Sequence, residues 1–139
     1  MSLPQQKIRE IVFLLIYSSD LIDMGGDENV LFIMEQLKVT KKTVLSARDY
    51  VVSMREFLPV IDSKIRKHST EYRLERICRV ELNILRLGLY ELFYQTENVP
   101  PKVALAEAIR LSRKFATRES ADFVNAILDA AYREKEEVK

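Results

Sequence analysis

The sequence predicts an all-α fold, a compact bundle of about seven helices. Apolar residues recur at the spacing of an amphipathic helix along most of the chain. The 139 residues include only three glycines and four prolines, too few for a loop-rich or all-β protein. The composition, 47% hydrophobic and 31% charged, is ordinary for a globular domain of this size.

The first helix is expected over about residues 4–22. Pro4 suits the first turn of a helix, and the pair Gly25-Gly26 ends the helical pattern. The inward-facing residues are expected to be Ile8, Ile11, Val12, Leu15 and Ile16.

The next three helices are predicted from the residues at their starts. Asp27 is the expected N-cap of the second helix, and Thr40 is the expected N-cap of the third. Pro59 cannot lie inside a helix without breaking its hydrogen bonds, so a fourth helix is expected over about 57–67. The inward-facing residues of the third helix are expected to be Val44, Ala47, Val51 and Met54.

The fifth helix is expected to be the central element of the fold. Ser69 or Thr70 would cap it, and most positions from Leu74 to Tyr94 are apolar. A helix that is apolar around most of its circumference must be buried on most sides. Its main apolar stripe is Leu74, Cys78, Leu85 and Leu92, and a narrow strip on another side holds Arg79, Asn83, Arg86 and Tyr90.

Two residues interrupt that stripe, Glu81 and Gly88. A glycine there costs helix propensity of about 1 kcal/mol relative to alanine, which a close approach by a neighbouring helix explains. A carboxylate on a packing face needs a donor. The donor is either an internal cation or N–H group or a residue of a partner protein, unless Glu81 lies at an exposed edge of the stripe.

The last two helices follow clear start signals. Pro100 and Pro101 precede the sixth, whose cluster of Arg110, Arg113 and Lys114 is either a solvated face or a surface for phosphate. Thr117 is the expected N-cap of the seventh, with Glu119 in its first turn. The apolar residues of these helices are Ala104, Ala108, Leu111 and Phe115, then Phe123, Val124, Ile127, Leu128 and Ala131.

The side chains present argue against catalysis, and no catalytic, cofactor-binding or metal-binding residue is predicted. One histidine, His68, and one cysteine, Cys78, provide no metal-ligand cluster, and no glycine-rich loop is available for a nucleotide. No signal peptide or membrane-spanning run is visible, and the lone cysteine suggests a reducing compartment, so a cytoplasmic location is expected. The net charge of +1 means that any nucleic-acid site must be a local patch.

The chain resembles the NusB family of transcription antitermination factors. The resemblance rests on ILRLGLYEL, VPPKVALAEAI and DFVNAILD in that order, and on KIREIVFLLIYS near the start. It implies one NusB-like domain over residues 1–139, with an N-terminal helical subdomain at about 1–56 and a C-terminal one at about 57–139.

The resemblance implies a binding protein that acts in transcription antitermination. Proteins of this family bind boxA-type RNA together with NusE, a small-subunit ribosomal protein, and join an RNA polymerase complex that resists termination, chiefly in ribosomal RNA operons. An alternative is a NusB-fold module that binds protein partners or a second copy of itself and has lost useful RNA affinity.

The family's binding positions can be matched to residues of this chain. Those implied for RNA are Gln6, Lys7, Arg9, Lys102, Glu119 and Phe123, and those implied for NusE are Tyr17 and Glu81. The start of the first helix is usually arginine-rich in the family, whereas only Lys7 and Arg9 keep the charge here. Weaker RNA binding is therefore expected. On the residues alone, Lys7 and Arg9 could be solvated charges, and Phe123 could be a core residue.

Overall fold

The computed structural model of the chain describes residues 5–21, 27–70 and 72–137. This part is entirely helical, with seven α-helices, one 3₁₀ turn and no strand, so the all-α prediction is confirmed. The elements are α1 (Gln5–Leu21), α2 (Asp27–Leu37), α3 (Lys41–Arg55), α4 (Leu58–His68), the 3₁₀ turn (Leu74–Arg76), α5 (Arg79–Tyr94), α6 (Pro101–Phe115) and α7 (Arg118–Glu137). Contacts divide the chain into two compact units, Met1–Glu56 and Phe57–Lys139.

The first unit consists of α1, α2 and α3, and both α1 and α2 pack on α3. All four inward-facing residues expected on α3 are buried. Thr40 caps α3 as predicted, because its hydroxyl accepts a hydrogen bond from the Thr43 N–H at 3.2 Å. Pro4, the Gly25-Gly26 pair and the side chain of Asp27 lie outside the described residues. The core of this unit is formed by Ile11, Val12, Phe13, Leu15, Ile16, Val30, Ile33, Val44, Ala47, Val51 and Met54.

The second unit is built around α5, which packs against α4, α6 and α7. Its leucines and isoleucine between Leu82 and Leu92 are all buried, as expected for a central helix. A Cβ atom at Gly88 would lie 2.9 Å from the Leu128 Cδ1 atom of α7 and 3.7 Å from the Ala108 Cβ atom of α6. Side chains of two neighbouring helices therefore pack directly against this glycine, whereas the approach of a helix backbone was expected.

The predicted start of α5 is wrong. The helix begins at Arg79, not near Ser69 or Thr70. Leu74 and Ile77 are buried, but Leu74 begins a 3₁₀ turn and Ile77 follows that turn in an extended conformation. Side chains three residues apart eclipse in a 3₁₀ turn, so the apolar spacing continues across the break and imitates a longer helix. Cys78 is consequently an exposed N-cap residue and not part of an apolar stripe.

The starts of α4, α6 and α7 agree with the sequence. Pro59 lies in the first turn of α4, and Pro100 precedes Pro101 at the start of α6. The Thr117 hydroxyl accepts a hydrogen bond from the Ser120 N–H at 3.0 Å. The first backbone N–H groups of a helix have no partner inside it. The threonine accepts one of these N–H groups, and the prolines have no N–H group that would need a partner.

Ion pairs connect α4 to α5 and to α7 within the second unit. The Arg86 guanidinium donates two hydrogen bonds to the Asp62 carboxylate, at 2.9 and 3.0 Å, and both side chains are at least 85% buried. At the end of α4, Lys67 and His68 contact the Glu134 carboxylate of α7 at 2.7 and 3.0 Å. The hydrogen bond from Lys67 lowers the pKa of Glu134 below its usual value of 4.5.

Candidate functional site

The start of α1 holds three of the predicted RNA-binding residues. Gln6 is exposed, and Lys7 and Arg9 are half-buried in the first two turns. The first turn of α1 contains no acidic residue. Backbone N–H groups at a helix start favour anions, and two basic side chains add to that preference. This end of α1 can therefore contact phosphate.

Lys102 is exposed at the second residue of α6. The two prolines before it direct the chain into the helix, and the first turn of α6 contains no carboxylate. Among the described residues Lys102 makes no ion pair, so its ammonium group is available to a ligand. The neighbouring Val103 is 41% exposed, which gives this helix start a mixed basic and apolar surface.

Glu119 and Phe123 lie one helical turn apart near the start of α7, on the same side of the helix. Glu119 is exposed, and its carboxylate complements the helix dipole. Phe123 is half-buried and is not a core residue, unlike the other apolar residues expected on α7. Its ring meets the ring of Tyr72 edge-on, with centroids 5.8 Å apart and an interplanar angle of 77°.

Tyr72 was not predicted as a site residue. It is 50% exposed in the segment between α4 and the 3₁₀ turn. The signal that could have found it is an aromatic residue next to Arg73 and close to Arg76, in a polar stretch that reads STEYRLER. An aromatic ring beside basic side chains is typical of surfaces for single-stranded nucleic acid.

The two predicted partner-binding residues lie on different units. Tyr17 is half-buried on α1, where its ring stacks on Phe13 with centroids 6.1 Å apart. Glu81 is half-buried in the first turn of α5. Within the part of the chain that the structure describes, Glu81 makes no ion pair or side-chain hydrogen bond. No internal cation is therefore paired with this carboxylate among the described residues. In the first turn of α5, the negative charge of Glu81 interacts favourably with the helix dipole.

The basic cluster of α6 is partly neutralised. The Arg110 guanidinium donates hydrogen bonds to the Glu107 carboxylate at 2.9 and 3.2 Å. Arg113 and Lys114 are exposed, and the Lys114 ammonium group lies 5.7 Å from the centre of the Phe115 ring. This arrangement is typical of a solvated helix face.

Across 5–21, 27–70 and 72–137, no group of three His, Cys, Asp or Glu side chains is placed to hold a metal ion. None of the described helices combines the length and the apolar character needed to cross a membrane.

Comparisons with known proteins agree with the helical architecture. The model of the NusB family matches residues 6–133. The transcription antitermination protein NusB of Citrifermentans bemidjiense is 36% identical over 129 residues, which is 87% of this chain and 88% of that protein. The name of that relative describes an antitermination role and no enzymatic activity.

Two solved structures are similar over nearly their full lengths. NusB of T. maritima has a TM-score of 0.78 and 31% identity, with 96% of this chain and 94% of that chain covered. A crystal structure of the antitermination factors NusB and NusE in complex with double-stranded RNA contains a chain with a TM-score of 0.77 and 28% identity, with 94% and 96% covered. This chain therefore belongs to the NusB family of transcription antitermination proteins.

Proposed function

We propose that this chain binds boxA-type single-stranded RNA together with NusE and so helps RNA polymerase to resist termination, chiefly in ribosomal RNA operons. The observation that carries this proposal is the similarity, over 94% of the chain, to the NusB that was crystallised with NusE and RNA. The protein needs no cofactor in this role, and it acts in the cytoplasm with the polymerase complex.

The RNA contacts come from Gln6, Lys7 and Arg9 on α1 and from Lys102, Glu119 and Phe123 on the second unit. The three cations neutralise phosphates, and Phe123 offers part of a ring face to a base. Glu119 repels phosphate and so limits where the strand can pass. With about 0.7 counterion released for each phosphate of a single strand, three cations give a log–log salt slope of about −2.

The contacts to NusE come from Tyr17 and Glu81. Tyr17 presents a half-buried phenol, which suits an interface that is apolar in its centre and hydrogen-bonded at its edge. Glu81 accepts a hydrogen bond from a cation, amide or hydroxyl of NusE, the donor that the described part of this chain does not supply.

The test is a fluorescence anisotropy titration of labelled boxA RNA with the purified chain, with and without NusE, at two salt concentrations. A scrambled RNA of the same length and composition is the control. We expect binding that is tighter with NusE, that prefers boxA and that has a salt slope of about −2. The absence of boxA binding at low salt even with NusE would contradict the proposal.

A further inference from the structure

The second unit carries a surface cavity of about 500 Å³ beside Tyr72. It lies where α4 ends and the chain turns toward α5, and we refer to it as the Tyr72 cavity. Its polar lining includes the side chains of Arg66, Ser69, Thr70, Tyr72 and Arg73. Cavities that hold small ligands have volumes of roughly 300–1,000 Å³, so this one has room for a single nucleotide.

The cavity carries two available guanidinium groups. Arg66 and Arg73 are both exposed, and neither makes a side-chain hydrogen bond or ion pair within the described residues. Glu75 also lines the cavity, so the described lining residues together carry a charge of +1. A planar guanidinium matches two oxygens of a phosphate at once, which makes an unpaired arginine a good phosphate ligand.

Tyr72 adds an exposed aromatic surface to these charges. Half of its surface is accessible to solvent, although its ring contacts Phe123. The segment that holds it is anchored, because the Ser69 hydroxyl donates to the Tyr72 carbonyl at 2.7 Å and the side chain of Leu74 is buried. An anchored ring loses little conformational freedom when a base stacks on it.

We propose that the Tyr72 cavity holds one nucleotide of the single-stranded RNA, with the base stacked on Tyr72 and the phosphate paired with Arg73 and Arg66. The hydroxyls of Ser69 and Thr70 are suited to the ribose 2′-OH. This inference rests on the proposed function and extends its RNA surface, because the contact between Tyr72 and Phe123 makes the cavity continuous with a proposed RNA residue. Unpaired arginines beside an exposed ring favour RNA over an acidic peptide, which would use the charges but not the stacking surface.

The experiment measures boxA RNA affinity and its salt slope for the full chain with NusE. Y72A should bind about 5- to 100-fold more weakly with an unchanged slope, since stacking is lost but no charge is removed. Y72F keeps the ring and should bind within about twofold of the wild type. R73Q should weaken binding and make the slope less steep by at most about 0.7, since Arg66 still contacts the same phosphate.

R55Q is the matched control for charge. Arg55 is exposed in the last turn of α3 and does not line the cavity, so this variant should leave the slope unchanged. Melting temperatures verify that each variant is folded. Y72A removes the ring contact with Phe123 and could destabilise the protein for that reason. R73Q changes an exposed side chain and should leave the fold intact, so it still tests the cavity.

The outcomes separate this inference from the proposed function. Wild-type binding with unaffected Y72A and R73Q would overturn the inference alone. A changed slope in R73Q with full affinity in Y72A would also overturn it, because the base would then not stack there. An equal change of slope in R55Q would show general electrostatics and no specific cavity. A wild-type protein that binds no boxA RNA with NusE would refute the proposed function and this inference together.

Discussion

The E81Q substitution tests the proposed contact with NusE and the internal role of Glu81 in one variant. Glu81 is half-buried in the first turn of α5, and it makes no ion pair within the described residues. Its internal contribution is therefore limited to the helix dipole, which is worth about 0.3–1 kcal/mol. For a chain of this size, that loss lowers the melting temperature by at most about 5 °C.

The effect on NusE binding should be larger. A hydrogen bond to a charged group contributes about 1.5–3 kcal/mol, roughly twice as much as a neutral one, and glutamine keeps an acceptor oxygen. E81Q should therefore lose about 0.8–1.5 kcal/mol and weaken NusE binding by about 4- to 13-fold. The assay is isothermal titration calorimetry of NusE into the purified chain, together with thermal unfolding followed by circular dichroism.

E119Q is the matched control, because Glu119 also lies in the first turn of its helix and is exposed. It should show a similar small loss of stability and unchanged affinity for NusE. The reasoning is refuted if E81Q binds NusE as well as the wild type. A fall in melting temperature of about 10 °C or more would also refute it, since that size of effect requires an internal partner.

Three further predictions concern the second unit. R86M leaves the Asp62 carboxylate, whose side chain is 15% exposed, without its arginine and removes the hydrogen bond from Arg86 to the Asn83 side chain, so the free energy of unfolding should fall by about 3 kcal/mol in urea titrations; a loss below about 1 kcal/mol would indicate a solvated pair. Lys67 lowers the pKa of Glu134 in the folded chain below the usual value of 4.5. The ionised Glu134 therefore stabilises the fold fully above about pH 4.5, and this contribution is lost as the pH falls through the pKa of the folded state. The stability difference between wild type and E134Q should therefore shrink with acid, and a constant difference would contradict this. G88V should destabilise by about 1–3 kcal/mol through overlap with Leu128, and an unchanged melting temperature would show that the helices can separate.

The sequence predicted helix starts well because they depend on local chemistry. Thr40 and Thr117 accept backbone N–H groups three residues ahead, and Pro59 is compatible only with the first turn of a helix. Gly88 predicted a close helix approach because only packing explains a glycine inside a buried helix.

The sequence could not predict the break before α5. A 3₁₀ turn and an α-helix share the three-residue apolar spacing, so Leu74 and Ile77 fitted both. The same spacing places residues 70–73 at a helix start, so the sequence alone does not indicate the exposed ring of Tyr72 beside Arg73 as a binding surface.

The predicted site residues lie on helices, as expected. How far each side chain is exposed depends on tertiary packing, which the sequence alone does not show. Phe123 is half-buried, and its ring contacts the ring of Tyr72, a residue 51 positions away in the chain. Helical spacing predicts the side of a helix that faces the core, but it does not show where the core ends.

The composition of the complex that the chain forms tests whether it binds NusE and boxA RNA together. The purified chain, NusE and boxA RNA are mixed and analysed by size-exclusion chromatography with light scattering. We expect one species that contains one copy of each component, and a scrambled RNA should not enter it. A dimer of this chain that excludes both NusE and boxA RNA would contradict the proposed function.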